Sequence, residues 1–180
     1  MLDVTIRRFF DALRSKGLAL DTNMWILYIV GLYDENAIEV EDRTQKYTKK
    51  EYGYIQKLIN ESKPKQISLS SYSVPEITHL PDIESNHRKK NGNIEHSRYL
   101  DTTILQLTES LEHHRSAKEI KEASTIDKIA LYGFCDLSLQ QIAKDGYAIL
   151  TDDTQLNDYL QSNNLPSISM QILRAIDFSH

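Results

Sequence analysis

Leu18-Ala19-Leu20-Asp21-Thr22-Asn23 leads into the apolar run Met24 to Leu32, and Ala148-Ile149-Leu150-Thr151-Asp152-Asp153 repeats the design near the other end of the chain. Each stretch reads as a short buried strand that delivers a carboxylate and small polar residues to its C-terminal end. In parallel α/β folds that edge is where ligands sit. Two strands ending in acids can aim carboxylates at one point, which is how a protein builds a site for a hard divalent cation.

The segments between and around these strands alternate with them. Val4, Ile6, Phe9, Phe10 and Leu13 recur at near-helical spacing until Gly17, so residues 3–16 are a predicted helix. Residues 18–21 are a strand, and 23–33 a helix or extended apolar segment capped by Asn23. Residues 34–46, with the charge run Glu39 to Arg43, read as loop. Thr48 and Glu51 form a capping-box pattern. It opens a helix to about Ser62 that turns Tyr52, Ile55, Leu58 and Ile59 inward and ends at Lys63-Pro64-Lys65.

Ile67 to Leu69 is β-capable. Ser71 or Ser73 caps a helix through Val74, Pro75, Glu76, Ile77 and Leu80, with Pro75 in its first turn. Residues 82–97 are polar, with an exposed turn at His87 to Gly92. Residues 98–123 read as helical, with Leu100, Ile104, Leu107 and Leu111 on one stripe. Cys135-Asp136 opens a helix to Lys144, Gly146 ends it, and Tyr147 to Leu150 is a strand. Thr154 to Gln161 is a helix, Ile168 a short strand and 170–177 a last helix. Strands alternating with helices predict a three-layer α/β/α sandwich around a central, mostly parallel sheet, with a helical insertion.

A chain of 180 residues makes one domain, 1–180, the default, with 34–64 and 82–115 as elaborations. Hydrophobic residues at 40% and charged residues at 26% are ordinary for a soluble globular protein. The lone Cys135 excludes an internal disulfide framework and fits a reducing, cytoplasmic setting. The first sixteen residues carry six charges and no continuous apolar stretch, which argues against a secretory signal. The run Met24 to Leu32 is too short to span a bilayer, so no membrane partner is expected. A net charge of −5 gives no global basic field for nucleic acid, yet allows an acidic site that meets phosphate through metal.

Asp21, Glu76, Asp136 and Asp153 are the candidate site acids. Glu76 and Asp136 stand in first turns of helices, and helix N-termini can open on the edge where the strands end. Four acids from four elements raise one another's pKa, and a bound cation is the usual remedy. Oxygen-only ligation favours Mg²⁺ or Mn²⁺ over zinc.

These motifs resemble the PIN-domain ribonuclease family. Leu20-Asp21-Thr22-Asn23 resembles its first acidic motif, and Val74-Pro75-Glu76-Ile77 the helix carrying its second acid. Asp136 ahead of Leu137-Ser138-Leu139-Gln140-Gln141-Ile142-Ala143 is similar to the third acid and its helix. Ile149-Leu150-Thr151-Asp152-Asp153 is similar to the strand-end Thr-x-Asp motif that brings the fourth. In order, the motifs cover residues 18–168. Arg43-Thr44-Gln45-Lys46-Tyr47-Thr48 also resembles longer standalone members. Asp21 and Glu76 lie 55 positions apart (76 − 21), more than in compact toxin members, and the extra material is 34–64.

The resemblance implies metal-dependent hydrolysis of single-stranded RNA, in a toxin paired with an antitoxin, a defence-system nuclease or a standalone enzyme. Asp21, Asp136 and Asp153 would ligate metal, and Glu76 would ligate it or orient the attacking water. Thr22, Asn23 and Thr151 would hold carboxylates or water. Asp152 is an alternative to Asp153 as ligand. Homodimers are common in the family. The best basic candidates for RNA backbone contact are Arg43, Lys49, Lys50, Arg88, Lys89, Lys90 and Arg115.

Each residue also has a plainer reading. Asp21, Asn23, Asp136 and Asp153 are all good helix caps, and Glu76 suits a first turn beside the helix dipole. The lysines and arginines read equally as solvated surface, and Trp25 and Phe134 as core. A phosphatase of the haloacid dehalogenase type also begins from a strand-end Asp, but wants a second Asp where this chain has Asn23. A fold that binds RNA or a protein without cutting is the other alternative.

Overall fold

The computed structural model describes residues 2–62, 67–78 and 93–176, with side chains omitted for 2, 3 and 93–97. Five strands form one sheet: β1 (Leu18–Leu20), β2 (Ile67–Ser70), β3 (Leu111–His113), β4 (Ala148–Thr151) and β5 (Ser167–Ser169). Their order is β3-β2-β1-β4-β5 and every pairing is parallel. The helices are α1 (Leu2–Ser15), α2 (Thr22–Tyr33), α3 (Lys49–Glu61), α4 (Val74–Thr78), α5 (Asn93–Glu109), α6 (Ala117–Ala123), α7 (Ile126–Lys144), α8 (Thr154–Ser162) and α9 (Met170–Ala175). They cover the sheet as a three-layer α/β/α sandwich.

Alternation of side chains along each strand sorts the two cores. Leu18 and Leu20 pair with Ala148 and Leu150, and all four face a core shared with Phe9, Leu13, Trp25, Ile55 and Leu173. Ala19 pairs with Ile149 on the opposite face, against Leu139, Ile142 and Ala143 of α7 and Leu156 and Leu160 of α8. Strands buried on both sides carry no polar alternation, which is why Leu-Ala-Leu and Ala-Ile-Leu read as continuous apolar runs.

The winding of this sheet decides where a site can form. From β1 the chain moves outward to β2 and β3, then returns to the other side of β1 for β4 and β5. The strand order therefore reverses between β1 and β4, and a crevice opens beyond their carboxyl ends. Both acidic stretches end there.

Several expected elements differ in detail. Asp21, not Asn23, caps α2, accepting from Met24 N at 2.8 Å. The strand ends one residue earlier than expected, so Asp21 is free to turn its side chain back to the helix. Thr48 and Glu51 do form a capping box. Ser70 rather than Ser71 or Ser73 caps the short 3-10 turn that precedes α4, accepting from Tyr72 N at 3.2 Å.

The 98–123 segment is two helices with edge strand β3 between them. Its buried face carries Tyr99 and Thr103, while Ile104 is 56% exposed and Leu111 opens the strand. The large Tyr99 ring sets the inward face, and the Thr103 hydroxyl is satisfied by Tyr99 O at 2.9 Å. Phe134, read as core, is 39% exposed. Lys63-Pro64-Lys65, Leu80, the His87 to Gly92 turn, and with it Arg88, Lys89 and Lys90, lie outside the described residues. Among the described residues no helix is long and apolar enough to cross a membrane.

Candidate functional site

Asp21 is the hub of the β1–β4 edge. It is 6% exposed. One carboxylate oxygen accepts from Met24 N at 2.8 Å; the other accepts from the Thr151 hydroxyl and from Asp152 N at 2.9 Å. Burial raises its pKa, and these three hydrogen bonds oppose the shift without cancelling it. Thr151 donates to Asp21 and accepts from Asp153 N at 2.9 Å, so its hydroxyl fixes both acidic stretches to each other.

Asp153 caps α8, accepting from Leu156 N at 2.9 Å, and is otherwise exposed. Asp152 turns the other way. Its carboxylate is paired with Lys46 Nζ at 2.8 Å and accepts from the Tyr47 hydroxyl at 2.9 Å. Asp152 is thus paired with the 34–48 segment while its charge also acts on Asp21, and Asp153 acts on Asp136.

Asp136 lies three residues beyond Gly133, where φ of +71° and ψ of 177° interrupt α7. The part of α7 beyond that break is the helix expected from Cys135. The Asp136 carboxyl is pushed up to about 7, first by burial and then by the charges of Asp153 and Asp21. Asp136, on α7, thus feels the charges of both Asp153, at the start of α8, and Asp21, past the end of β1, while Asp21 itself feels the charge of Asp152.

Glu76 is not part of that group. Its carboxylate is half exposed and paired with Arg43 Nη2 at 2.6 Å. The same guanidinium reaches Asn23 Oδ1 at 3.4 Å. The expected meeting of four acids at a single point is therefore not what the side chains adopt. Among the described residues, no three His, Cys, Asp or Glu side chains are grouped as closely as a bound ion would require. The donor set of Asp21, Asp136 and Asp153 nevertheless suits a hard cation in chemistry. All are oxygen donors, and their shared charge raises the cost of ionisation that a cation would relieve.

Beneath the acids a small polar cluster joins three elements. The Thr22 hydroxyl donates to Ser73 Oγ at 3.0 Å, and Cys135 Sγ lies 3.4 Å from Thr22 Oγ1 and 3.3 Å from Ser73 Oγ. Burial pushes the Cys135 thiol up, with Asp136 and Asp21 adding to the shift. The sulfur is therefore held as a neutral thiol that ties the start of α2 to α7.

The remaining basic candidates sit apart from this edge. Lys49 donates to Asn36 Oδ1 at 2.6 Å, and Lys50 lies 6.0 Å from the Tyr54 ring centroid. Arg115 pairs with Asp145. Sequence reasoning missed Lys46, Tyr47, Ser73 and Cys135 as site residues. Their partners lie 51 to 113 positions away, and no local spacing signals such contacts. No family model, curated protein or solved structure matches the chain.

Proposed function

We propose that this protein is a metal-dependent endoribonuclease that hydrolyses single-stranded RNA. The observation that carries the reading is the Asp136 carboxyl lying within electrostatic reach of both Asp21 and Asp153, at the point where the strand order reverses. It is supported by the order of the acidic motifs, which resembles PIN-domain ribonucleases. Asp21, Asp136 and Asp153 would hold Mg²⁺ or Mn²⁺. When bound, such an ion neutralises the scissile phosphate and lowers the pKa of water.

The chain's own residues supply the rest. Thr151 and the Asp152 N–H fix the orientation of the Asp21 carboxylate. Asp136, near 7, can take up or release a proton at neutral pH. Arg43, at the rim between Asn23 and Glu76, offers a cation to a phosphate entering the edge. Glu76 would reach the attacking water once Arg43 lets it go.

The test is cleavage of single-stranded RNA in Mg²⁺ or Mn²⁺ by the wild type and Asp21→Asn. Metal-dependent cleavage lost in the variant is the expected result. No cleavage of any RNA, or equal cleavage by both proteins, rejects the enzyme. A second reading, a fold that binds RNA or a protein without cutting, is favoured by the Glu76–Arg43 pair and by the absence of a closed ion cage among the described residues. RNA binding with no cleavage would select it.

A further inference from the structure

Immediately beside the acids, the break at Gly133 sets two aromatic residues outward on either side of it. Phe134 stacks on Tyr72, with ring centroids 5.6 Å apart and planes 21° from parallel. Tyr132 meets Tyr159 at 5.3 Å, tilted by 55°, and Lys128 Nζ lies 5.2 Å from the Tyr159 ring centroid. Phe134 keeps 39% of its surface in solvent although one face is already covered by Tyr72.

The location ties these rings to the site. Phe134, Cys135 and Asp136 are consecutive, and so are Tyr72 and Ser73. The Phe134–Tyr72 stack therefore runs alongside the Cys135–Ser73 contact, with Phe134 two positions from Asp136. Tyr159 stands on α8, the helix that Asp153 caps. A side chain at Gly133 would meet no neighbour, so that glycine serves the left-handed backbone rather than close packing. The backbone conformation thus aims the ring at position 134 away from the core while Asp136 turns toward Asp21 and Asp153.

We propose that the Phe134–Tyr72 pair forms a base-stacking platform that seats single-stranded RNA next to the carboxylates. The inference rests on the reading that these acids act on RNA, and adds how the strand is gripped. Three features select a polynucleotide over a protein. Phe134 offers an exposed ring beside the acids; it stands two positions from Asp136; and Lys128, on the same helix, supplies a cation for a backbone phosphate. Stacking accepts every base, so the platform predicts broad sequence tolerance with a demand for unpaired bases.

The experiment is binding, measured by fluorescence anisotropy in EDTA, of a labelled single-stranded RNA of about twelve nucleotides. An RNA of the same length with abasic spacers at its centre is the comparison. Wild type should prefer the RNA with bases. Phe134→Ala should weaken it by about tenfold or more and abolish the preference, and Phe134→Trp should restore both. Ile126→Ala removes an apolar side chain, 76% exposed on the same helix, and should leave binding unchanged.

Equal binding of the two RNAs by wild type, or unchanged binding by Phe134→Ala, overturns the platform. So does an Ile126→Ala loss as large as that of Phe134→Ala, which would show that the affinity does not come from the aromatic ring. Because no step depends on cleavage, a failed platform and a failed nuclease give separate results.

Discussion

The hydroxyl of Thr151, at the end of β4, donates to the carboxylate of Asp21, just past the end of the neighbouring strand β1. Thr151 is fully buried, and the same oxygen accepts from Asp153 N at 2.9 Å. One small side chain thereby satisfies a buried carboxylate and the backbone of the next acidic residue.

Thr151→Val keeps the shape of that side chain and removes the hydroxyl. It leaves a buried acceptor and a backbone donor short of a partner, and a β-branched residue remains suited to the strand. The expected loss is about 2 kcal/mol of stability, from the usual 1–3 kcal/mol for an unsatisfied buried group. Thr151→Ser should recover most of it. Urea unfolding of the three proteins checks the prediction; equal midpoints for wild type and Thr151→Val would show that the bond contributes nothing.

Asp136 makes stability depend on pH. Its folded value near 7 stands above the ordinary 3.8. Between those values the folded protein holds a proton that the unfolded chain has lost. Stability is therefore greatest below about pH 4 on account of this group, falls as pH rises, and reaches its floor above about pH 7. Asp136→Asn cannot ionise and should escape that fall. At pH 8 the variant is expected to exceed wild type by about 1–2 kcal/mol, a figure reduced for the solvent that still reaches the group. Denaturation curves taken at pH 4.5 and pH 8 should diverge; parallel behaviour of the two proteins would contradict the assignment.

If the acids hold a divalent ion, the ion stabilises the folded chain by mass action. Mn²⁺ at ten times its dissociation constant adds about 1.4 kcal/mol, or about 3–5 °C in Tm for a chain of this size. Asp136→Asn should show little or no rise. A thermal melt with and without Mn²⁺, repeated after EDTA, reads this directly, and a rise of the same size in Asp136→Asn would place the ion elsewhere.

Gly31, in α2, faces the Tyr52 ring of α3. A Cβ at Gly31 would come within 2.4 Å of that ring. Gly31→Ala gains up to about 1 kcal/mol of helix propensity and loses more to the clash, since overpacking a buried contact costs about 1–3 kcal/mol. The net result should be a lower Tm. Gly31→Ala with Tyr52→Leu, which makes room, should be less destabilised than the two single changes added together. Strict additivity would argue that the helices do not meet there.

The parts of this fold that were legible from sequence share one property: their signal is local. Apolar strands ending in Asp21 and Asp153, the Thr48–Glu51 box and the stop at Gly146 each lie within a few residues. Strand β3 escaped notice because it is a three-residue edge strand, Leu-Glu-His, with exposed side chains at Leu111 and Glu112. Nothing in such a stretch separates it from the end of a helix. Of the apolar stripe on α5, Leu107 packs against the core while Ile104 is exposed, because the buried Tyr99 ring sets the helix's rotation.

The site followed the same division. Asp21, Asp136 and Asp153 are legible as candidates because strand ends and helix starts have sequence signatures. Glu76 is legible as a candidate for the same reason, yet its side chain pairs with Arg43, which arrives from a segment without a regular pattern. Lys46 and Tyr47 reach Asp152 across 106 and 105 positions, and only the assembled sheet brings them there.

The position of β1 between β2 and β4 also bears on timing. Asp21 emerges early in synthesis, but its Thr151 partner follows 130 residues later. Until β4 has left the ribosome and slotted beside β1, the early half of the chain has an exposed strand edge and an unsupported carboxylate. Pairings this distant are slow to close. The central strand is thus made well before the second of its two partners, and the Asp21 carboxylate lacks its Thr151 contact until β4 arrives.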